Sequence, residues 1–266
     1  MRTSTLIAPD SGVSAALSRT WMATSLASVP RLPDSVSGAI AAALKTTALG
    51  RFPAEERAWA ARIEARRRDL PAMLAAAGSP ERPQSERLSE AARAAAWMSV
   101  PPVWGRFLMR LVRELAPRSC IELGTGFGIS TAYQAAALEL NGDGRIVSLD
   151  LDALTSVAHP GLASLELRHR VELVGGRIED TLPGVLEGTG PIEYALLDSD
   201  HTEQGTLSAF DALAPHMRSG AIVVLDDINW TDGMRRAWSS VARRERVAAT
   251  VGLRRVGIAV VSSDGS

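Results

Sequence analysis

The chain has 266 residues, of which 46% are hydrophobic and 22% are charged, so it can fill the core of one large domain. Its 29 Lys and Arg side chains against 30 Asp and Glu give a formal net charge of −1, which argues against a general nucleic-acid binder. The single cysteine, Cys120, excludes a disulfide within the chain and a zinc site made of several cysteines.

The apolar runs of the sequence are all shorter than the ~20 residues that a membrane-spanning helix requires. Near the N-terminus, Pro9, Asp10 and Ser11 interrupt the apolar residues, so no signal peptide is predicted. We therefore expect a cytoplasmic protein whose partners include neither nucleic acid nor a membrane.

The first hundred residues are rich in Ala and Arg and predict helices. One helix is expected from Pro53 to a break at Pro71, since proline suits the first turn of a helix and disrupts its interior. Apolar residues at helical spacing predict two more helices, one after Ser85 and one after Pro102.

The sequence Gly-Ser-Pro at residues 78–80, followed by Pro83, predicts a loop between these helices. The composition also changes beyond this point, because strand-like runs begin further along the chain. We therefore expect a helical N-terminal extension or cap over residues 1–83 and a second domain over residues 84–266.

From Ser119 onward, short apolar runs alternate with longer segments. The runs read CIEL, RIVSLD, VELV, YALLD, AIVVLDD, RVAATVG and VGIAVV. The segments between the first five can hold crossover helices, which indicates a parallel sheet covered on both faces. Only residues 253–255 separate the last two runs, so these predict an antiparallel hairpin. The predicted fold is α/β: a doubly wound, seven-stranded Rossmann-like sheet that ends in an antiparallel hairpin and carries an N-terminal helical extension.

A glycine-rich turn follows the first predicted strand, in the sequence CIELGTGFGIS. The turn contains three glycines, Gly124, Gly126 and Gly128. They let the backbone turn tightly and approach a ligand. The dinucleotide pattern requires glycine where this chain has Ile129, and the negative charge of Glu122 disfavours a diphosphate. Asp150 ends the next strand, where an acid can accept both ribose hydroxyls of a nucleoside. Together these features predict a nucleoside cofactor with a cationic, amino-acid-bearing part.

Carboxylates follow the fourth and fifth predicted strands. They belong to Asp198 and Asp200, and to Asp226 and Asp227. Because ligands bind beyond the carboxyl ends of parallel strands, we expect Asp198, Asp226 and Asp227 to converge. Their mutual repulsion can be relieved by raised pKa values or by a divalent cation, and an all-oxygen set suits Mg²⁺ or a similar hard ion. Asp200 can equally serve as a helix cap.

His201 is the proton acceptor that the sequence offers beside these acids. It lies three residues after Asp198, and a neutral imidazole can take a proton from a hydroxyl near pH 7. The only lysine, Lys45, lies far from these motifs in the sequence. The alternative is that His201 is a solvated loop residue.

From about Trp97 to Val261 the chain resembles class I S-adenosylmethionine-dependent methyltransferases, in particular the metal-dependent O-methyltransferases of the catechol and macrocin (macrolide-sugar) type. The most specific part is LDSDHTEQGTLSAFDALAPHMRSGAIVVLDDINWTDGMRRAW, which is similar to the macrocin-like order of LDxD, LxP, Gly, DD and GxRxA. The resemblance implies S-adenosylmethionine as cofactor, assisted by Mg²⁺ or a similar divalent cation.

The resemblance also implies roles for individual positions. It places cofactor contacts at Met98, Val100, Glu122, Gly124, Thr125, Gly126, Ser130, Asp150, Gly176, Arg177, Ile178, Glu179 and Asp198. It places metal ligands at Asp198, Asp226 and Asp227. Enzymes of the catechol type have a lysine base where this chain has His201 and an asparagine where it has Asp227. The assignment of His201 as the base is therefore our inference. Asp198 is the other residue that we assign to catalysis.

The expected function is transfer of a methyl group to a hydroxyl of a small molecule or natural product, with a vicinal diol or catechol favoured because two adjacent oxygens can bind one cation. The sequence leaves open a metal-independent methyltransferase, or one that acts on nitrogen or carbon. Less favoured alternatives are an NAD(P)-dependent oxidoreductase and a protein that binds the cofactor without chemistry. A homodimer is a further expectation.

Overall fold

The computed structural model describes residue 20, residues 22–23, residues 34–78 and residues 82–262. Between residues 34 and 115, four helices precede the first strand: α1 (Asp34–Leu49), α2 (Ala54–Ala77), α3 (Gln84–Trp97) and α4 (Pro102–Leu115). None of the helices in the described ranges is both long enough and apolar enough to cross a membrane.

Helix α2 continues through Pro71, so the predicted break at this residue is wrong. A proline inside a helix removes one backbone hydrogen bond and crowds the preceding turn. Here Leu70 and Ala75 are buried on either side of it, and α2 packs against α3. The burial of apolar surface on both sides of Pro71 outweighs the lost hydrogen bond, as tertiary packing often overrides local propensity.

Seven strands of the described chain form one sheet. They are β1 (Ser119–Leu123), β2 (Arg145–Asp150), β3 (Val171–Gly175), β4 (Ile192–Leu197), β5 (Met217–Leu225), β6 (Val247–Gly252) and β7 (Gly257–Val261). Their order is β3-β2-β1-β4-β5-β7-β6. Strands β1 to β5 are parallel, and β7 pairs antiparallel with both β5 and β6. The predicted doubly wound sheet with a terminal antiparallel hairpin is confirmed.

Helices cover both faces of this sheet. They are α5 (Ile129–Asn141), α6 (Asp152–Ser164), α7 (Ile178–Gly188), α8 (Glu203–Leu213) and α9 (Asp232–Val241). Alternate residues of a strand point to opposite faces. In β4, Tyr194 and Leu196 accordingly belong to one apolar core, while Ala195 and Leu197 belong to the other.

The N-terminal helices pack on the first of these two cores. The face of α4 that contains Trp104, Phe107 and Leu111 is buried. A side chain at Gly105 would overlap the ring of Tyr133 on α5, so glycine allows the two helices to approach closely. Because α1 packs on α4, and α2 on both α3 and α5, the helices form a layer continuous with the sheet. The domain boundary after residue 83 stays a prediction.

Candidate active site

The sheet order reverses at β1, which lies between β2 and β4. In open α/β sheets, ligands bind outside the carboxyl ends of the strands at such a point. A cavity of about 1930 Å³ opens here. Fourteen of the sixteen residues predicted for the site line it: Met98, Val100, Gly124, Thr125, Gly126, Ser130, Asp150, Gly176, Arg177, Ile178, Glu179, Asp198, His201 and Asp227.

The glycine-rich turn brings the backbone of two strands into contact. Gly124 has φ +103°, and a Cβ atom there would lie 2.6 Å from the carbonyl carbon of Asp198. The turn is also tied to β2, because the Gly126 amide donates to Asp150 Oδ2 at 2.8 Å. Glycine at position 124 is therefore required both by its left-handed conformation and by the close approach of β4.

Glu122 does not line the cavity, which differs from the contact with the cofactor that the resemblance implied. It is fully buried below the turn, where the side chains of Thr131, Gln134 and Ser148 donate hydrogen bonds to its two oxygens. Ser148 also hydrogen-bonds Thr125 of the turn, at 2.6 Å. Burial raises the pKa of Glu122, and the hydrogen bonds oppose this effect. The side chain of Glu122 thus supports the turn from beneath.

Residues 176–179 form the wall of the cavity that follows β3. Gly176 has φ +135°, and α7 begins two residues later. The side chain of Arg177 donates to Glu179 Oε1 through Nε at 2.8 Å, and both side chains are exposed. The carboxylate of Glu179 is therefore paired within its own segment.

Three side chains converge where β4 and β5 end. His201 Nε2 lies 3.3 Å from Asp198 Oδ1 and 3.6 Å from Asp227 Oδ2. One potential ligand atom from each residue lies within 4.8 Å of the others. The buried Nε2 atom has no hydrogen-bond partner. The arrangement could hold a cation or accept a proton from a bound ligand.

The electrostatics of these three groups reflect crowding of negative charge. Burial, and then the charge of Asp226, raise the pKa values of Asp198 and Asp227 well above the usual range of aspartate. Burial alone would lower the pKa of His201, but the nearby carboxylates of Asp198, Asp227 and Asp226 raise it overall. The site therefore favours a bound positive charge.

Asp226 is the second predicted site residue that does not line the cavity. It is 3% exposed, and Arg255 holds both of its oxygens: Nε lies 2.7 Å from Oδ1 and Nη2 lies 2.7 Å from Oδ2. Nη2 also lies 3.1 Å from Asp227 Oδ2. The sequence analysis missed Arg255. The signal lay in the predicted hairpin, because a last strand antiparallel to β5 begins beside the carboxyl end of β5.

Two exposed tryptophans stand at the mouth of the cavity. Trp97 is 63% exposed and Trp230 is 48% exposed. Their ring centroids are 5.4 Å apart in an edge-to-face arrangement, and Trp230 packs in the same way against His201 at 4.8 Å. Trp230 was not singled out in the sequence, since it follows the acid pair by several residues in an irregular loop.

The helix caps beside the site come from threonines. Thr202 caps α8 by accepting from the Gly205 amide at 3.0 Å, and Thr231 caps α9 by accepting from the Met234 amide at 3.1 Å. Asp200 accepts from the Thr202 amide at 3.1 Å, so it orders the turn that precedes the cap.

Comparison with known proteins finds similarity over the parallel strands β1 to β5. Residues 121–228 match a family model described as a methyltransferase domain. A catechol O-methyltransferase from Niastella koreensis is 32% identical over 136 residues, which cover 49% of this chain and 58% of that protein. A catechol O-methyltransferase from Mycobacterium tuberculosis is 29% identical over 161 residues, which cover 60% of this chain and 66% of that protein. The chain thus spans about three fifths of the length of these relatives.

A solved structure extends the similarity to the fold. The O-methyltransferase TomG from Streptomyces achromogenes, which is involved in tomaymycin synthesis and was solved in complex with S-adenosylmethionine, superposes with a TM-score of 0.56 at 28% identity. The superposition covers 65% of this chain and 88% of that one.

Proposed function

We propose that the chain is a class I S-adenosylmethionine-dependent O-methyltransferase that methylates one hydroxyl of a vicinal diol on a small molecule, with a catechol as the favoured acceptor. The observation that supports this proposal is that a single cavity is lined by both the predicted cofactor residues and the cluster of acids with His201. The glycine turn with Asp150 lies on one side, and Asp198, His201 and Asp227 lie on the other.

The cofactor would occupy the part of the cavity beside β1 and β2. Asp150 would accept the ribose hydroxyls, and Ser130 would bind the carboxylate of the methionine part. Gly124 and Gly126 line this space. Residues 176–179 would flank the adenine. The carboxylate of Asp150 on this side of the cavity and those of Asp198 and Asp227 on the other favour a sulfonium cofactor over a diphosphate.

The acceptor would enter between the tryptophans and the acids. Trp97 and Trp230 expose flat apolar surface at the mouth of the cavity, next to His201. Aromatic rings pack well on such surfaces. This supports a planar ring that carries two adjacent hydroxyls, rather than a flexible aliphatic diol.

A divalent cation fits the acid cluster. The carboxylates of Asp226 and Asp227 share one guanidinium, that of Arg255, while the carboxylates of Asp198 and Asp227 crowd around His201. Asp198 and Asp227 would hold the ion, since Mg²⁺ is often bound by one or two carboxylates with waters and substrate oxygens completing its shell. When bound, the ion would lower the pKa of an acceptor hydroxyl.

The chain's own residues would then perform the transfer. The cavity walls would hold the acceptor oxygen in line behind the methyl group and exclude water. His201 would take the hydroxyl proton at Nε2. The acceptor oxygen would attack the methyl carbon while the bond from that carbon to sulfur breaks, which releases S-adenosylhomocysteine. The charges of Asp198 and Asp227 would stabilise the protonated imidazole.

Metal-independent transfer is the second candidate, because Arg255 already places one positive charge on Asp226 and Asp227. Methylation of a catechol in the presence of EDTA distinguishes the two candidates. Full activity in EDTA would favour the second, and loss of activity that Mg²⁺ restores would favour the first.

A ligand titration tests the cofactor assignment. We expect S-adenosylmethionine and S-adenosylhomocysteine at ~100 times their Kd to stabilise the fold by about 2.7 kcal/mol, which raises Tm by about 5–10 °C. NAD⁺ is expected to leave Tm unchanged. A shift with NAD⁺ alone would contradict the proposal. Transfer of a labelled methyl group to a catechol, compared with an aliphatic vicinal diol, then tests the acceptor class.

Replacing His201 by alanine is expected to lower kcat by about 10²-fold or more, because general-base catalysis typically contributes that much. The affinity for S-adenosylhomocysteine is expected to stay within threefold. His159→Ala, at an exposed position on α6, is the matched control and should retain full activity. A fall of less than threefold in the His201 variant would exclude its role as the base.

A further inference from the structure

Arg255 is held against the end of β5 by the main chain as well as by its side chain. It lies in the link between β6 and β7. Its carbonyl accepts from the Ile228 amide at 2.9 Å, and the neighbouring Arg254 carbonyl accepts from Asn229 Nδ2 at 2.9 Å. The link is thus fastened to the loop that follows the acid pair, so the position of the guanidinium beside Asp226 is built into the backbone.

Contacts within the protein occupy most of the hydrogen-bond acceptor positions of the Asp226 carboxylate. Arg255 donates to both of its oxygens in a fork geometry, and the Asp227 amide donates to Oδ1 at 2.8 Å. A carboxylate offers about four acceptor positions, of which these contacts take three. A partly buried fork pair of this kind is strong and specific. Asp226 has little capacity left for a metal ion.

We propose that Arg255 occupies the carboxylate of Asp226, so that Asp226 does not coordinate a metal ion. Arg255 thereby sets the affinity of the acid cluster for a divalent cation. The cation then relies on Asp198 and Asp227 for its carboxylate ligands, and the guanidinium beside them opposes its charge. Arg255 is a positioning residue, because it acts through Asp226. The inference rests on the cation of the proposed function, although its test requires no methyl transfer.

The first test measures Mn²⁺ binding by the electron paramagnetic resonance signal of the free ion, since Mn²⁺ suits the same oxygen ligands as Mg²⁺. Arg255→Gln removes the guanidinium charge and frees Asp226. We expect this variant to bind Mn²⁺ at least ~10-fold more tightly than the unaltered protein. The matched control is Arg254→Gln, which changes the exposed neighbour and should leave the affinity within twofold.

A double-mutant comparison tests whether the effect passes through Asp226. Adding Asp226→Asn to the Arg255→Gln variant should abolish most of the gain, because the freed carboxylate is lost again. If the gain persists in the double variant, Arg255 acts only by its charge at a distance, and the proposal is overturned. Unchanged or weaker Mn²⁺ binding in Arg255→Gln would overturn it as well.

If Arg255→Gln does not fold, two variants that retain Arg255 test the proposal instead. Asp227→Gly is expected to abolish Mn²⁺ binding, whereas Asp226→Asn should weaken it without abolishing it, because Arg255 then pairs more fully with Asp227. Equal losses in both variants would show that Asp226 is a metal ligand and would overturn the proposal. Absence of Mn²⁺ binding in the unaltered protein would also overturn it, while the stabilisation by S-adenosylhomocysteine tests the proposed function separately.

Discussion

Replacing Asp227 by glycine is expected to lower kcat for catechol methylation by about 10²- to 10⁴-fold, the loss that corresponds to several kcal/mol of transition-state stabilisation. The variant removes the carboxylate that faces His201 and the proposed cation. Asp227 has φ +53°, a conformation that glycine adopts without steric cost. The fold should therefore tolerate the change. Steady-state kinetics measure kcat, and calorimetry measures the affinity for S-adenosylhomocysteine.

The matched variant is Asp227→Asn, which keeps one ligand oxygen and also tolerates the left-handed backbone conformation. It should retain at least ~10-fold more activity than Asp227→Gly. In both variants the affinity for S-adenosylhomocysteine should change less than fivefold, since Asp227 lies on the acceptor side of the cavity. If Asp227→Gly keeps near-normal kcat, the acid cluster has no part in the chemistry.

Replacing Gly124 by alanine is expected to lower the free energy of unfolding by about 3 kcal/mol or more and to weaken S-adenosylhomocysteine binding. The added Cβ would lie 2.6 Å from the Asp198 carbonyl carbon, and φ +103° is unfavourable for any residue with a side chain. The clash forces β1 and β4 apart where the turn and the acid cluster meet. Urea denaturation followed by circular dichroism measures the loss.

Gly184→Ala is the control for this prediction. Gly184 lies within α7, and a Cβ atom there would have no neighbour within 4 Å. Alanine favours the helix over glycine by about 0.8–1 kcal/mol, so this variant should be as stable as the unaltered protein or more stable. A loss below about 1 kcal/mol for Gly124→Ala would mean that the turn can shift, and that its close approach to Asp198 is not required.

The two sides of the site are mechanically linked. The Asp198 amide donates to the Leu123 carbonyl at 2.8 Å, directly before the glycine turn. Gly126 is tied to Asp150 on the other side of β1. A displacement of the turn therefore moves the first acid of the acceptor side together with the proposed ribose ligand. This explains why a substitution in the turn is expected to affect both stability and cofactor binding.

The sequence by itself determined the features that depend on neighbours along the chain. Apolar runs of strand length, with helix-length segments between them, predicted the doubly wound sheet because burial on both faces requires continuous apolar strands. The short link of residues 253–255 predicted the terminal hairpin. The glycine turn and the acids after β4 and β5 were identifiable because strand ends of a parallel sheet share one edge.

Only the tertiary structure decided which of these side chains face the cavity. Glu122 points into the layer of Thr131 and Ser148, and Asp226 pairs with Arg255, 29 positions further along the chain. Both outcomes depend on strand order and register, which bring distant residues together. Patterns of neighbouring residues in the sequence do not indicate such contacts. The same holds for helix α2, where packing on both sides of a proline outweighs the local tendency to break.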